Sequence, residues 1–116
     1  MDEKEINIIT GCKEYPRVHL YMDMHRKLSN DCHVDFFIMI KKKRRFLHRF
    51  YLVDALGLGR YDHNKLIKFV NWTKDSMVNW TKTILSKENI KLDDNGWNNI
   101  KETYFQIILK ICEENK

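Results

Sequence analysis

Apolar positions fall into blocks whose spacing reads as helical over most of the chain. After a charged start (Asp2, Glu3, Lys4, Glu5), a short apolar piece at Ile6, Ile8 and Ile9 is stopped by Thr10-Gly11. Pro16 suits the first turn of a helix, and Val18, Tyr21, Met22 and Leu28 predict one that ends near Ser29-Asn30. Asp31 is a candidate N-cap for a second helix built on Val34, Phe36, Phe37 and Ile40. The stretch Phe36 to Ile40 also reads as a short buried strand, but no partner strand is evident. From Phe46 to Leu58 the chain is apolar on almost every side, the pattern of a central helix packed by its neighbours, with Gly57 and Gly59 closing it.

Asp62 then predicts the cap of a long amphipathic helix reaching about Asn89, with Leu66, Phe69, Val70, Thr73, Met77, Trp80, Ile84 and Leu85 near one stripe. The string VNWTK occurs twice within it, at 70–74 and 78–82. Asn95-Gly96 reads as a helix stop, since both residues tolerate a left-handed backbone. Trp97, Ile100, Tyr104, Ile107 and Ile108 recur at helical spacing and predict a last helix from Trp97 to about Cys112. The expected fold is all-α: one hydrophobic helix surrounded by amphipathic ones in a single domain over residues 1–116, with no linker dividing it.

Composition narrows the class. The 116 residues suffice for one core, and one Pro with four Gly leaves little room for the tight turns of an all-β fold. A net charge of +5 permits an acidic partner without demanding one. The three cysteines (Cys12, Cys32, Cys112) are widely spaced and form no CxxC, so a disulfide framework is not expected and a reducing interior is. The start MDEKE carries no signal-peptide pattern, and no apolar run is long enough to span a membrane.

Candidate chemistry is sparse. Cys32, His33 and Asp35 lie too close together to form an obvious zinc site, and His19 and His25, six apart, do not share a helix face. Gly57-Leu58-Gly59 lacks the Lys-Ser/Thr of a phosphate loop. No enzyme, metal or cofactor is expected. The basic run Lys41 to Arg45 admits a nucleic-acid reading. The expectation is instead a solvated junction between buried helices, because no aromatic ladder accompanies it, and nucleic acid is not expected as a partner.

One segment carries a family resemblance. Residues 92–104, LDDNGWNNIKETY, resemble the second homology motif (BH2) of the Bcl-2 family, with Asn95, Gly96 and Trp97 matching and Tyr104 where the family has a groove Tyr. Residues 46–59, FLHRFYLVDALGLG, are similar to the first motif (BH1) and the hydrophobic central helix that follows it, with Arg49 retained from the BH1 tetrad. The chain looks most like a viral member of that family from a large DNA virus.

The resemblance implies a Bcl-2-like helical bundle that inhibits apoptosis by holding BH3 helices of pro-apoptotic partners (Bim-like, with Bak and Bax as further candidates) in a hydrophobic groove. Arg49 would clamp the ligand's Asp, with Phe36, Ile40, Phe46, Tyr51, Leu52 and Tyr104 lining the groove. An internal ion pair of Arg49 with Asp54 or Asp93 is the alternative. The implied setting is the host cytoplasm or the mitochondrial surface without a transmembrane anchor, and a homodimer could cover the groove. Two rival readings are a Bcl-2-fold scaffold that blocks innate immune signalling, and a basic helical nucleic-acid binder using Lys41 to Arg45.

Overall fold

In the computed structural model, which describes residues 2–26 and 32–116, the chain is α+β rather than an all-α bundle. Four antiparallel strands come first: β1 (Asp2–Ile9), β2 (Arg17–His25), β3 (His33–Ile40) and β4 (Lys43–Tyr51). They pair in the order β1-β2-β3-β4, a simple meander. Three helices follow: α1 (Leu52–Leu56), α2 (His63–Lys87) and α3 (Asp94–Glu114).

The expected early helices are strands, and the reason is visible in the apolar period. Val18, Leu20, Met22 and Met24 alternate along β2, as do Val34, Phe36, Ile38 and Ile40 along β3, and all eight are buried. A strand sends alternate side chains to opposite faces, so these two rows form one continuous apolar surface. Antiparallel neighbours supply the missing partner strand: Leu20 sits opposite Ile38, and Met22 opposite Phe36. The expected helix end at Leu28 to Asn30 and the Asp31 cap lie outside the described residues.

The expected central helix from Phe46 to Leu58 is also overturned. Lys43–Tyr51 is the fourth strand, and only Leu52–Leu56 is helical before Gly57. A bulge in β4 explains its all-round apolar look. Phe36 pairs with His48 and Phe37 with Phe46, leaving Leu47 as the extra residue. Leu47 is buried in the core and His48 meets Trp72 of α2 edge-on, so two successive residues turn toward the helices. That insertion resets the alternation. It sends Arg49 to the face away from the helices, where strict alternation would have driven it into the core.

The hairpin joining β3 to β4 is a two-residue turn, Lys41-Lys42, with φ of 48° and 64°. Both residues occupy the left-handed region that Asn and Gly usually fill in such turns. The turn is tied to the end of α2. Lys41 Nζ lies 3.3 Å from a Glu88 carboxylate oxygen, and Arg45 donates to the other at 2.9 Å. The run Lys41 to Arg45 is therefore a β-hairpin rather than a junction between helices.

The long helices follow the sequence more closely. Asp62 caps α2, accepting from the backbone N–H groups of Asn64 and Lys65. α2 ends in a Schellman motif, with Asn89 at φ 57° and the Ile90 N–H returning to the Leu85 carbonyl. Asn95-Gly96 is thus not the helix stop. Asp93 caps α3 through the Gly96 N–H, which puts both residues inside the first turn. Gly96 is there for space: a Cβ would sit 2.3 Å from the Thr10 carbonyl oxygen at the end of β1.

The core lies between the sheet's apolar face and the paired helices α2 and α3. Leu66, Val70, Met77 and Leu85 of α2 join Ile100, Tyr104, Ile108 and Ile111 of α3 in one buried cluster with the strand residues. Both copies of VNWTK play the same part, each burying its Val and Thr and exposing its Trp. The Thr81 hydroxyl shares a 2.9 Å hydrogen bond with the Tyr104 hydroxyl, satisfying both in the interior. No described helix is long and apolar enough to cross a membrane.

Candidate functional site

The second face of the sheet carries the chemistry. Strand register assembles it in rows, one residue from each strand. At the hairpin end Arg17 stands beside the Lys41-Lys42 turn, and then comes the row Asn7, His19, Met39 and Arg44. The next row, Glu5, Tyr21, Phe37 and Phe46, is an aromatic band across three adjacent strands. Beyond it lie Glu3, Asp23, Asp35 and Arg49, and at the far end His25, His33 and Tyr51.

The aromatic band is open to ligands at one side. Phe46 is 55% exposed, an unusual position for a large apolar side chain on a strand. Its ring meets Phe37 edge-on at 5.7 Å. The Arg44 guanidinium lies 4.3 Å from the Phe37 ring centroid and 5.0 Å from that of Tyr21, a cation–π arrangement. Arg44 also donates to both carboxylate oxygens of Asp23, at 3.2 and 3.1 Å, and pairs with Glu3. Next to this band an open concavity of about 550 Å³ is lined by Tyr15, Arg17, His19, Met39, Lys41 and Lys42.

Asp35 is the most constrained group on the face. Its side chain is 6% exposed, and Arg49 clamps it through Nε at 2.6 Å and a terminal nitrogen at 3.0 Å. Burial by itself would raise the Asp35 pKa. The Arg49 hydrogen bonds and charge, with smaller help from His33 and His25, outweigh it and hold the carboxyl below its ordinary range. The same hydrogen bonds raise the Arg49 pKa further, so both groups stay charged. His25 Nε2 lies 3.5 Å and His33 Nε2 3.9 Å from the same Asp35 oxygen, and the two imidazoles stack at 4.6 Å.

The residues expected to line a BH3 groove are split by the sheet. Phe36, Ile40 and Tyr104 are fully buried in the core, and Leu52 is buried at the start of α1. Phe46, Arg49 and Tyr51 stand on the opposite face. Asn95 is exposed, Gly96 packs on Thr10, and Trp97 is partly buried beside Lys82. Arg49 does form the internal ion pair weighed as its alternative, but with Asp35 rather than Asp54 or Asp93. The central helix and helical bundle on which the apoptotic reading rested are absent from the described residues, and that reading loses its groove.

Tyr21, Phe37, Arg44, His25, His33 and Asp35 were missed as a set. The signal was the period of two in β2 and β3: on a strand His33 and Asp35, two apart, share a face, and the spacing that argued against a common site argues for one. Comparisons with protein-family models, with curated proteins and with solved structures gave no match.

Proposed function

We propose that the protein binds single-stranded nucleic acid on the open face of its sheet. The observation that carries this reading is the band Tyr21, Phe37 and Phe46, contiguous across three strands and topped by Arg44. Bases stack on aromatic rings and on guanidinium planes alike, and each stacked base contributes about 1–3 kcal/mol. The cations Arg17 and Lys42 border that band at the hairpin end, where they can accompany a phosphate backbone. Asp23 and Asp35 do not oppose an anion strongly, because each is already clamped by an arginine.

The unusual hairpin turn supports the same reading. Left-handed backbone at two lysines costs about 1–2 kcal/mol each, so the positions hold cations where Asn-Gly would be more stable. The proposal departs from the expectation that nucleic acid is not a partner. The aromatic row forms only once three strands are paired, so spacing along the chain does not display it.

Fluorescence anisotropy with a labelled single-stranded oligonucleotide tests it. Phe46→Ala is expected to weaken binding by about 1–3 kcal/mol at fixed salt. Lys42→Ala is expected to weaken all sequences alike and to reduce the salt slope by about 0.7. No binding at low salt, or full affinity retained by Phe46→Ala, refutes the proposal.

A further inference from the structure

At the other end of the open face, three potential metal ligands converge. His25, His33 and Asp35 each present one donor atom, and the three atoms lie within 4.8 Å of one another. The arrangement is a product of strand pairing. His33 and Asp35 are neighbours on one face of β3, and His25 is the cross-strand partner of His33. We infer that these three side chains form a binding site for one zinc-class divalent ion, with Nε2 of each imidazole and a carboxylate oxygen of Asp35 as ligands.

The spacing fits such an ion. Bonds of about 2.0–2.1 Å in a tetrahedral shell place neighbouring ligands about 3.3–3.4 Å apart. The imidazole nitrogens are 3.5 and 3.9 Å from the Asp35 oxygen, so small rotations of two side chains close the shell. Two imidazoles and one carboxylate suit zinc, and also iron, nickel or copper, while magnesium and calcium prefer oxygen ligands. Three protein ligands leave a coordination position for water or for a ligand atom, and the His25 side is the more open one, its side chain being 25% exposed against 10% for His33.

Arg49 is the apparent obstacle, since it already grips Asp35. A carboxylate offers about four lone-pair directions, and Arg49 uses one on each oxygen. Its grip orients the carboxylate in the way that outer partners commonly fix metal ligands. Its charge is offset locally: the row holds three carboxylates, Glu3, Asp23 and Asp35, against Arg49 within it and Arg44, whose side chain reaches Asp23 and Glu3 from across the aromatic row.

The experiment uses the full chain, stripped with a chelator and free of nucleic acid, so its outcome is independent of the stacking proposal. Titration with Co²⁺ is expected to give visible d–d absorption saturating at one equivalent, which Zn²⁺ then abolishes. His25→Ala, at the more open side of the cluster, is expected to weaken the site roughly tenfold or more while keeping the wild-type circular dichroism. His19→Ala, on the same face but paired with Glu5, is the control and is expected to bind as wild type. Absence of saturable binding overturns the inference and leaves the cluster as an ion-paired network. So does a strong sulfur-to-cobalt band, which would put the ion on a cysteine, or a folded His25→Ala protein of unchanged affinity.

Discussion

Arg49 shows how much one side chain's surroundings matter. As a residue near the start of a greasy stretch it invited the role of a clamp for a visiting carboxylate. In the fold it clamps Asp35 instead, and the pair holds β3 and β4 together across the open face. Arg49 is itself 46% exposed, so its own charge is well screened; the energetic weight sits on the buried Asp35. Arg49→Ala leaves that carboxylate without its two strongest hydrogen bonds. A loss of about 1–3 kcal/mol in stability is expected, read from the shift of a urea melt at neutral pH. An unchanged midpoint would mean that water replaces the guanidinium at no cost.

Among the elements, the β3–β4 hairpin combines an unfavourable turn with useful charges. Replacing Lys41 by Asn and Lys42 by Gly gives the turn its preferred residues and sacrifices the exposed Lys41–Glu88 pair, which contributes little. The double variant is expected to be about 1 kcal/mol more stable than wild type in a thermal or urea melt. It is expected at the same time to bind single-stranded oligonucleotide more weakly. Gains in both stability and affinity would detach the turn from the proposed function. The bulge in β4 works at the same scale, since one inserted residue decides that Leu47 packs inward and Arg49 points outward.

For the whole molecule, the meander places β2 and β3 at the centre and leaves β1 and β4 as edges. Unpaired edges invite strand addition, and β4 discourages it with Lys43, Arg44, Arg45, Arg49 and its bulge. Amide hydrogen exchange by NMR is expected to show continuous protection along β2 and β3 and alternating protection along β4, where every second N–H faces away from β3. Continuous protection along β4 would reveal another chain on that edge and revive the homodimer expected from the sequence. The helices cover one face of the sheet and leave the other open, the face on which both proposals stand.

Legibility differed by element for physical reasons. The two long helices were readable because capping and a period near 3.6 are local properties; Asp62 and the Leu66-to-Leu85 stripe suffice for α2. The strands also carried their signal, in the alternation of Val18 to Met24 and of Val34 to Ile40. A strand's hydrogen bonds, however, go to residues distant in sequence, and no Asn-Gly marked the hairpin that joins β3 to β4. The candidate sites were legible least of all. Phe46 meets Phe37 in line with Tyr21, and His25 meets His33 and Asp35, only through antiparallel register. By itself the sequence determined the capped helices, the basic balance and the alternating apolar rows. Tertiary pairing alone decided which polar and aromatic residues share a face, because proximity across a sheet is set by partner strands and by a single bulge, not by spacing along the chain.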